Sequence, residues 1–257
     1  MNVRGGLERI ALLQDVERRR RIVLAARAAR RLRRRAYERL GSAKHSHPEI
    51  AGLHEHLDFD GGFFVEAGAN DGHRQSNTYF LERFRGWRGL LVEPIPELYE
   101  RCARERPRSQ CVNCALVDHT QAESTITLRY DDLGSHVLGE YERGDVPGST
   151  CWGWDQAYDV TVKTRTLDCL LDEMHAPQID FLSLDVEGYE EVVLAGLDLD
   201  LHLPRLILIE AFHPEQRLER LEPIFARRYE LIARPTPKDL LFRSRVSVAS
   251  ARPPQGS

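Results

Sequence analysis

The stretch that most constrains the fold runs from residue 63 to residue 72 and reads Phe-Phe-Val-Glu-Ala-Gly-Ala-Asn-Asp-Gly. Apolar residues lead into an acid and then into small residues, a pattern typical of a buried parallel strand that breaks into a tight turn and opens a helix. The glycines permit backbone angles and close ligand approach that a side chain would forbid. Glu66 lies near the strand's carboxyl end, where open α/β sheets bind ligands. The sequence therefore predicts an α/β sheet organised around this turn.

Further strand signals follow the first turn. Short apolar runs bounded by glycine, proline or acidic residues predict the strands of a mostly parallel sheet. These runs lie at residues 90–92, 112–117, 181–184, 206–210, 229–233 and 240–245, and a helix is expected over 96–106. The last two strands are expected to pair as a terminal antiparallel hairpin. Residues 124–130 and 160–166 alternate apolar and polar side chains, and we expect them to add antiparallel strands to the sheet.

The first 44 residues differ sharply in charge from the rest. They hold thirteen arginines and one lysine against four acids, a balance of +10; because the whole chain carries −4, the remainder carries −14. Good helix formers dominate and no proline interrupts, so residues 1–44 are predicted to form a basic helical arm. The arm is either a solvated helix packed on the domain or a contact for an anionic membrane surface or an acidic partner. A nucleic-acid partner is not expected, because aromatic residues do not interleave with the arginines.

Length and composition favour one enzyme-sized α/β domain plus an appendage. No apolar run approaches the roughly 20 residues that span a bilayer, and no signal-peptide pattern is visible. The five cysteines are scattered rather than arranged as a disulfide framework, which favours a reducing compartment. We therefore expect a cytoplasmic protein, with peripheral membrane contact left open.

Segments without a regular pattern flank and interrupt the predicted domain, residues 63–246. Residues 45–62 contain two His-x-His pairs, but a proline and a glycine break any regular element, so a polar linker is expected rather than a metal site. Residues 131–159 are rich in Gly, Ser and aromatics and predict a substrate lid, in which His136 and Tyr141 are candidates for substrate contact. Residues 247–257 predict a disordered tail.

Cys111 and Cys114 share the C-x-x-C spacing of many metal and redox sites. Cys111 lies at the start of the strand predicted over residues 112–117, and Cys114 lies within it. Positions three apart on a strand point to opposite faces, so these two cysteines are not expected to hold one ion.

Acids end four of the predicted strands and indicate the kind of ligand. They are Glu66, Glu93, Asp185 and Glu210. Glu93, at the end of the second strand, is placed to accept hydrogen bonds from ribose hydroxyls. A dinucleotide requires G-x-G-x-x-G so that helix amides hold its pyrophosphate; here the spacing is G-x-x-x-G and Asp71 would repel a diphosphate. S-adenosylmethionine, which has no phosphate and carries a sulfonium, fits these residues better.

Three stretches together resemble one family. They are residues 66–72 with Ser76-Asn77-Thr78, residues 91–94 (Leu-Val-Glu-Pro), and residues 184–190 (Leu-Asp-Val-Glu-Gly-Tyr-Glu) with the Val-Leu-Ala-Gly of 193–196. This order over residues 61–245 resembles the FkbM family of S-adenosylmethionine-dependent methyltransferases. The resemblance implies the Rossmann-like class I methyltransferase fold, a seven-stranded sheet with a terminal antiparallel hairpin, and O-methylation of a sugar, glycan or natural-product hydroxyl.

The resemblance also implies roles for individual residues. Glu66, Gly68 and Asn70 would line the methionine end of the cofactor, and Glu93 would hold its ribose. The cofactor contacts implied in addition are Asp71, Gly72, Asn77, Asn113 and Ala115, the last two near adenine. Asp185 would lie where the methyl donor meets the acceptor, and Glu187 in the same turn is a candidate for substrate contact.

Methyl transfer to a hydroxyl requires that its proton leave, either to a general base or because a divalent ion lowers its pKa. His213 is the first candidate for the base, with Asp185 orienting it or the acceptor. The alternative places Mg²⁺ on Asp185 and Glu210, hard oxygen ligands at adjacent strand ends. A homo-oligomer is also open.

Two other classes of protein compete with a methyltransferase. A Rossmann oxidoreductase is disfavoured by the missing dinucleotide fingerprint and by the terminal strand pair. A catalytically inactive scaffold with the same fold, recruited through the basic arm, would show a normal fold and no loss of arm-dependent partner binding when Asp185 is replaced.

Overall fold

The computed structural model describes Leu53 and residues 56–130, 136–137, 157–211, 213–225 and 227–246. These residues all belong to the compact unit Ser46–Ser257. The predicted arm at 1–44, most of the predicted lid at 131–159 with Tyr141, and the predicted tail at 247–257 lie outside the described residues. Of His136 only the backbone is described.

The secondary structure alternates between strands and helices along the chain. The strands are β1 Phe63–Ala67, β2 Arg88–Val92, β3 Gln110–Val112, β4 Ala115–Leu116, β5 Thr125–Tyr130, β6 His136–Val137, β7 Tyr158–Arg165, β8 Phe181–Leu184, β9 Leu206–Glu210, β10 Tyr229–Ala233 and β11 Asp239–Ser244. The helices are α1 Tyr79–Arg85, α2 Pro96–Glu105, α3 Leu167–Glu173, α4 Glu190–Ala195 and α5 Pro214–Phe225.

The main sheet has seven strands in the order β10-β11-β9-β8-β1-β2-β3. All neighbouring pairs are parallel except those of β11, which runs antiparallel to both β9 and β10. The predicted mostly parallel sheet with a terminal antiparallel hairpin is therefore confirmed. Its central strands are buried on both faces, as is typical of a parallel sheet covered by helices on both sides; every residue of β1 and of β8 is buried.

The prediction that residues 112–117 form one strand is wrong. The chain leaves the main sheet after Val112, and Ala115–Leu116 pairs with β7 in a second sheet. That sheet has the order β4-β7-β5-β6, so the strands expected to extend the main sheet form a separate layer. A small apolar core packs under the second sheet. It includes Leu98 of α2 and Ile95, the residue before that helix. Burial of this core is the reason that the chain turns out of the first sheet.

Local sequence sets the ends of several helices. Pro96 is the first residue of α2, where its fixed φ and missing N–H carry no penalty. Thr166 caps α3 through its hydroxyl, which accepts a hydrogen bond from the Cys169 amide. Gly86 ends α1 with a left-handed φ of 67°, the conformation that favours glycine at this position.

The described part of the segment predicted as a linker packs onto the domain. Leu53 and Leu57 are buried, and the ring of Phe59 lies 4.7 Å from that of Trp87. The Trp87 indole N–H donates to the carbonyl of Phe59. The folded unit therefore begins before residue 63.

The turn after β1 lies very close to the turn after β8. Gly68 has a φ of 81°, and a Cβ added to it would lie 1.8 Å from the carbonyl oxygen of Asp185. The Gly68 and Ala69 amides both donate to the carbonyl of Val92 at the end of β2. Three strand ends therefore meet at this glycine, and a side chain does not fit there.

A buried cation fixes the loop that follows this turn. The Arg106 side chain is 1% exposed, and its Nε donates to the Glu82 carboxylate at 2.9 Å. Its other nitrogens donate to the Gly72 carbonyl and to the hydroxyls of Ser76 and Thr78. Because a buried guanidinium is costly unless its donors are paired, this loop is held in one conformation.

Replacing Gly68 with alanine should destabilise the fold far more than the same change at Gly86. Both glycines have a positive φ, so the backbone strain of an alanine, about 1–2 kcal/mol, is common to the two. At Gly86 nothing lies within 4 Å of the added Cβ, whereas at Gly68 it meets backbone. Urea unfolding should show a loss above about 3 kcal/mol for Gly68→Ala. Equal losses for the two variants would contradict this packing.

Candidate functional site

A crevice opens at the carboxyl ends of β1, β2 and β8, where the sequence places the ligand. It encloses about 920 Å³, including the solvent at its mouth. The turn after β1 contributes Gly68 and Asn70, and the end of β2 contributes Glu93. Asp185 and Glu187 come from the turn after β8. With Ala115 of the second sheet, the structure therefore brings together six of the residues predicted for cofactor, catalysis or substrate.

Glu93 joins two of the turns that form the crevice. One carboxylate oxygen accepts the Asn70 amide at 2.8 Å, and the other accepts the Ile95 amide at 2.9 Å. Asn70 has a φ of 50°, a left-handed conformation in which asparagine is commoner than most residues. The hydrogen bond to Glu93 holds this strained residue in place.

Glu93 is also perturbed in its titration. Burial in the crevice raises the pKa of its carboxyl to about 7, although the two backbone hydrogen bonds act in the opposite direction. The negative charge of Asp71 adds to the increase. Near neutral pH this group therefore changes between the neutral and ionised forms.

The second sheet supplies an apolar wall to the crevice. Ala115 and Leu116 of β4, Leu128 of β5 and Val137 of β6 all line it. Ile95 and Leu98, next to Glu93, continue the same surface. The crevice therefore has an apolar end bordered by a carboxylate, an arrangement typical of sites that hold a ring bearing hydroxyl groups.

Of the two residues predicted near adenine, only Ala115 lines the crevice. The Asn113 amide nitrogen instead donates to the carbonyls of Glu93 and Pro94, at 2.9 and 2.8 Å. Asn113 therefore positions the backbone that follows β2 and is not a lining residue.

A cluster of carboxylates reaches the crevice through Asp185 and Glu187, which line it. Carboxylate oxygens of Asp185, Glu187 and Glu210 lie within 4.8 Å of one another, and each residue is half-buried. Burial, followed by the neighbouring charge of Glu210, holds the pKa of Asp185 well above its usual range. Hydrogen bonding with the neighbouring Glu210 carboxyl raises the pKa of Asp185 further.

The turn that carries Asp185 and Glu187 is fixed by the first residue of α4. The Glu190 carboxylate accepts the amides of Val186 and Gly188, at 3.2 and 3.1 Å. It also pairs with Arg217 of α5 at 3.0 Å. Glu187 adopts a φ of 54° within this turn. The carboxylate cluster is therefore built on a rigid turn.

Glu66 lies below the crevice and does not line it. Its carboxylate accepts hydrogen bonds from the hydroxyls of Ser76 and Thr78 and from the Asn77 amide, all between 2.6 and 2.8 Å. It lies 3.5 Å from Arg106. These bonds use the carboxylate to position the loop, and a direct contact between Glu66 and the cofactor stays a prediction.

Three other residues predicted to contact the cofactor also make structural contacts, namely Asp71, Gly72 and Asn77. The Asp71 carboxylate accepts the amides of His73 and Arg74. Gly72 packs against Cys102, which lies 3.0 Å from the place of a Cβ. The Asn77 amide nitrogen donates to the Ser183 hydroxyl at 3.0 Å. None of these three residues is among the described residues that line the crevice; their contacts in this structure are structural, and their cofactor contacts stay predictions.

His213 is exposed and does not line the crevice. It immediately precedes α5, where its carbonyl accepts the amide of Arg217. The structure therefore gives no support for His213 as the base that Asp185 orients.

Several lining residues were not identified from the sequence. Arg74 and Gln75 directly follow the first motif, so position alone could have indicated them. Leu116, Leu128 and Val137 belong to the second sheet, and nothing in the alternation of that segment indicated that it borders the crevice. Tyr189, at the start of α4, also lines it.

The sequence model of the FkbM methyltransferase domain matches residues 66–236 of the chain. No curated protein matches the chain. The match extends from the end of β1 to the strand pair that closes the main sheet, and so contains every residue of the crevice.

Solved structures of methyltransferases are similar to the chain at low identity. A TehB-like S-adenosylmethionine-dependent methyltransferase from Corynebacterium glutamicum is 13% identical, with 86% of this chain and 99% of that chain covered and a TM-score of 0.40. The 1,6-didemethyltoxoflavin-N1-methyltransferase of Burkholderia thailandensis is 15% identical, with 77% and 76% covered and a TM-score of 0.37.

None of the helices α1–α5 combines the length and the hydropathy that a membrane span requires. The seven-stranded sheet with its terminal antiparallel hairpin agrees with what the resemblance implies, and the sequence match covers about two thirds of the chain. The chain belongs to the FkbM family of S-adenosylmethionine-dependent methyltransferases.

Proposed function

We propose that the protein transfers the methyl group of S-adenosylmethionine to a hydroxyl oxygen of a sugar, glycan or natural product. The observation that carries the proposal is the arrangement of the crevice. The buried carboxylate of Glu93 borders an apolar wall, and Asp185 and Glu187 of the three-carboxylate cluster line the same crevice.

The crevice fits a nucleoside cofactor without phosphate. Each oxygen of Glu93 accepts one backbone amide, and an ionised carboxylate has about four acceptor positions, so capacity remains for a ribose diol. The wall formed by Ala115, Leu116 and Leu128 fits the faces of an adenine ring. A glycine at position 68 keeps the space above the β1 turn free.

Arg74 is the residue that we assign to the cofactor's carboxylate. Among the described residues that line the crevice, it is the one with a full positive charge. The methionine part of the cofactor carries both an ammonium and a carboxylate, and a guanidinium matches a carboxylate in shape and charge. Arg74 lines the crevice with Asn70, on the side where the family resemblance places the methionine end.

The enzyme's remaining task is to align the acceptor oxygen with the methyl group and to exclude water. A hydroxyl must also lose its proton during transfer. The carboxylates of Asp185, Glu187 and Glu210 are placed to receive that proton and to orient the hydroxyl. They replace His213 in this role, because its side chain is outside the crevice.

Mg²⁺ is the alternative means of activating the hydroxyl. The three carboxylates provide hard oxygen ligands, the type that this ion prefers, and Asp185, Glu187 and Glu210 would hold it. A bound Mg²⁺ would lower the pKa of the acceptor hydroxyl.

The arginine-rich segment 1–44 remains a proposed contact for an anionic membrane surface or an acidic partner. A homo-oligomer is likewise a proposal. Neither is required for the crevice, which the described residues form within one chain.

S-adenosylhomocysteine binding should tighten as pH rises through about 7. Below that pH the raised pKa of Glu93 keeps its carboxyl neutral, and the ribose loses an ionised acceptor, so affinity should fall by up to about tenfold per pH unit. Calorimetric titration from pH 6 to pH 8 measures this. The stability of the ligand-free protein should change in the opposite direction, decreasing between about pH 4.5 and 7, because the native carboxyl retains its proton longer than the unfolded one.

Glu93→Gln should remove this pH dependence and weaken binding by about 2 kcal/mol. Glu97→Gln is the matched control, since Glu97 is exposed and bonds to Tyr158 outside the crevice. Folded wild-type protein that gives neither heat nor a thermal shift with either cofactor form would refute the proposed function.

Arg74→Ala should weaken S-adenosylhomocysteine binding on the order of tenfold or more, since a hydrogen bond to a charged group contributes about 1.5–3 kcal/mol. Binding of 5′-methylthioadenosine, which lacks the amino acid, should not change. The exposed Arg83 of α1 provides the control variant Arg83→Ala. If both ligands lost affinity equally, Arg74 would act on the crevice as a whole and the assignment would be wrong.

Asp185→Asn should lower methyl transfer at least about a hundredfold while S-adenosylhomocysteine affinity stays within about threefold, a difference well below one good hydrogen bond. The measurement is formation of S-adenosylhomocysteine with a panel of methyl glycosides and polyhydroxylated natural products, and Glu219→Gln on the exposed side of α5 is the control. Loss of activity with EDTA and recovery with Mg²⁺ would identify the metal alternative.

Cofactor binding without transfer to any acceptor of the panel would instead favour the inactive scaffold. Full activity of Asp185→Asn would exclude Asp185 from the reaction under either alternative.

A further inference from the structure

Two cysteines from different elements meet beside the crevice. Cys102 lies in α2 and Cys111 in β3, and their sulfur atoms are 3.7 Å apart. Helix α2 packs against β3, which is the edge strand of the main sheet. The C-x-x-C spacing suggested Cys114 as the neighbour of Cys111, but Cys114 precedes β4 and belongs to the main apolar core. The tertiary structure therefore creates a thiol pair that the spacing does not show.

The two thiols have different environments. Cys102 is fully buried, whereas Cys111 is half-buried at the sheet edge. The hydrogen bond between the thiols, together with the Arg106 guanidinium, lowers the pKa of Cys111. The same bond and burial raise the pKa of Cys102. Cys111 is therefore the better nucleophile and the more accessible one, since the thiolate is the reactive form of cysteine.

We propose that Cys102 and Cys111 form a redox modification site, in which a peroxide converts the thiol pair to a disulfide and thereby weakens cofactor binding. The Cys111 sulfur attacks a peroxide oxygen, the O–O bond breaks, and a sulfenic acid forms with release of water or an alcohol. The Cys102 sulfur then attacks the Cys111 sulfur, the S–O bond breaks, and the hydroxide leaves as water with the Cys102 proton. Two electrons pass from the thiols to the peroxide.

Both sides of the pair are connected to the crevice. Gly72 packs directly on Cys102. The Gly72 carbonyl accepts a hydrogen bond from Arg106, which lies four residues after Cys102 in the chain. On the other side, Asn113 lies two residues after Cys111 and holds the carbonyls of Glu93 and Pro94.

A disulfide requires the sulfur atoms, which are 3.7 Å apart, to approach to about 2.05 Å, so Cys102 of α2 and Cys111 of β3 must move towards each other. The packing at Gly72 has little room for this, because the site of a Cβ there is already 3.0 Å from Cys102. We therefore expect the turn after β1 and the backbone beside Glu93 to shift together. These are the two elements that Glu93 connects through its hydrogen bond to Asn70.

The test uses the full chain, first reduced and then treated with hydrogen peroxide. Peptide mapping should find a Cys102–Cys111 bridge, and the affinity for S-adenosylhomocysteine should fall on the order of tenfold, a typical coupling between two sites. Dithiothreitol should restore the affinity. Cys111→Ser should form no bridge and keep its affinity after peroxide, whereas Cys169→Ser, which removes another half-buried thiol, should behave as the wild type.

The readout of affinity rests on the proposed function, and the reduced protein separates the two failures. Reduced protein that does not bind S-adenosylhomocysteine refutes the proposed function. Reduced protein that binds, but whose Cys111 is oxidised without a bridge to Cys102, overturns the redox site. A bridge that forms without any change in affinity overturns the coupling to the crevice.

Discussion

Arg106 occupies a position with 1% exposure, where an unpaired guanidinium would cost several kcal/mol. Its partners are therefore constrained: the carboxylate of Glu82 in α1 and the carbonyl and hydroxyls of the loop at 72–78. Glu66 in β1 bonds to the same loop from the other side. Strand β1, helix α1 and the end of α2 are thus joined around one charge. The turn at residues 68–70 lies between Glu66 and Gly72, which both belong to this network. The rigidity of the turn therefore depends on the network.

The crevice combines that rigid turn with parts of the fold that are distant in sequence. Gly68 permits the β8 turn to approach, and Glu93 connects the β1 turn to the chain after β2. The second sheet completes the apolar wall. Each of these contacts joins strand ends that are far apart along the chain. A site at the carboxyl end of a parallel sheet has this property because neighbouring strands come from separate βαβ units.

Several features of the site could be predicted and others could not. Glu93, Asp185 and Glu210 lie at the ends of strands that the sequence shows as apolar runs. Their convergence at the carboxyl edge follows from the parallel arrangement of these strands. Glu66 ends the same kind of run, yet its side chain points to the loop and Arg106. Alternation along β1 does not show which neighbour binds a given side chain. His213, the predicted base, does not line the crevice, because nearness in sequence to Glu210 does not determine where its ring lies.

The sequence by itself determined the main sheet, its terminal hairpin, the family and the carboxyl-end location of the site, because apolar periodicity and short motifs are local signals. Only the tertiary structure decided which motif residues line the crevice and which hold it in shape. It also decided that strands β4 to β7 form a second sheet, and that Cys111 meets Cys102 rather than Cys114. These outcomes depend on packing between distant segments, where burial and the pairing of polar groups outweigh spacing along the chain.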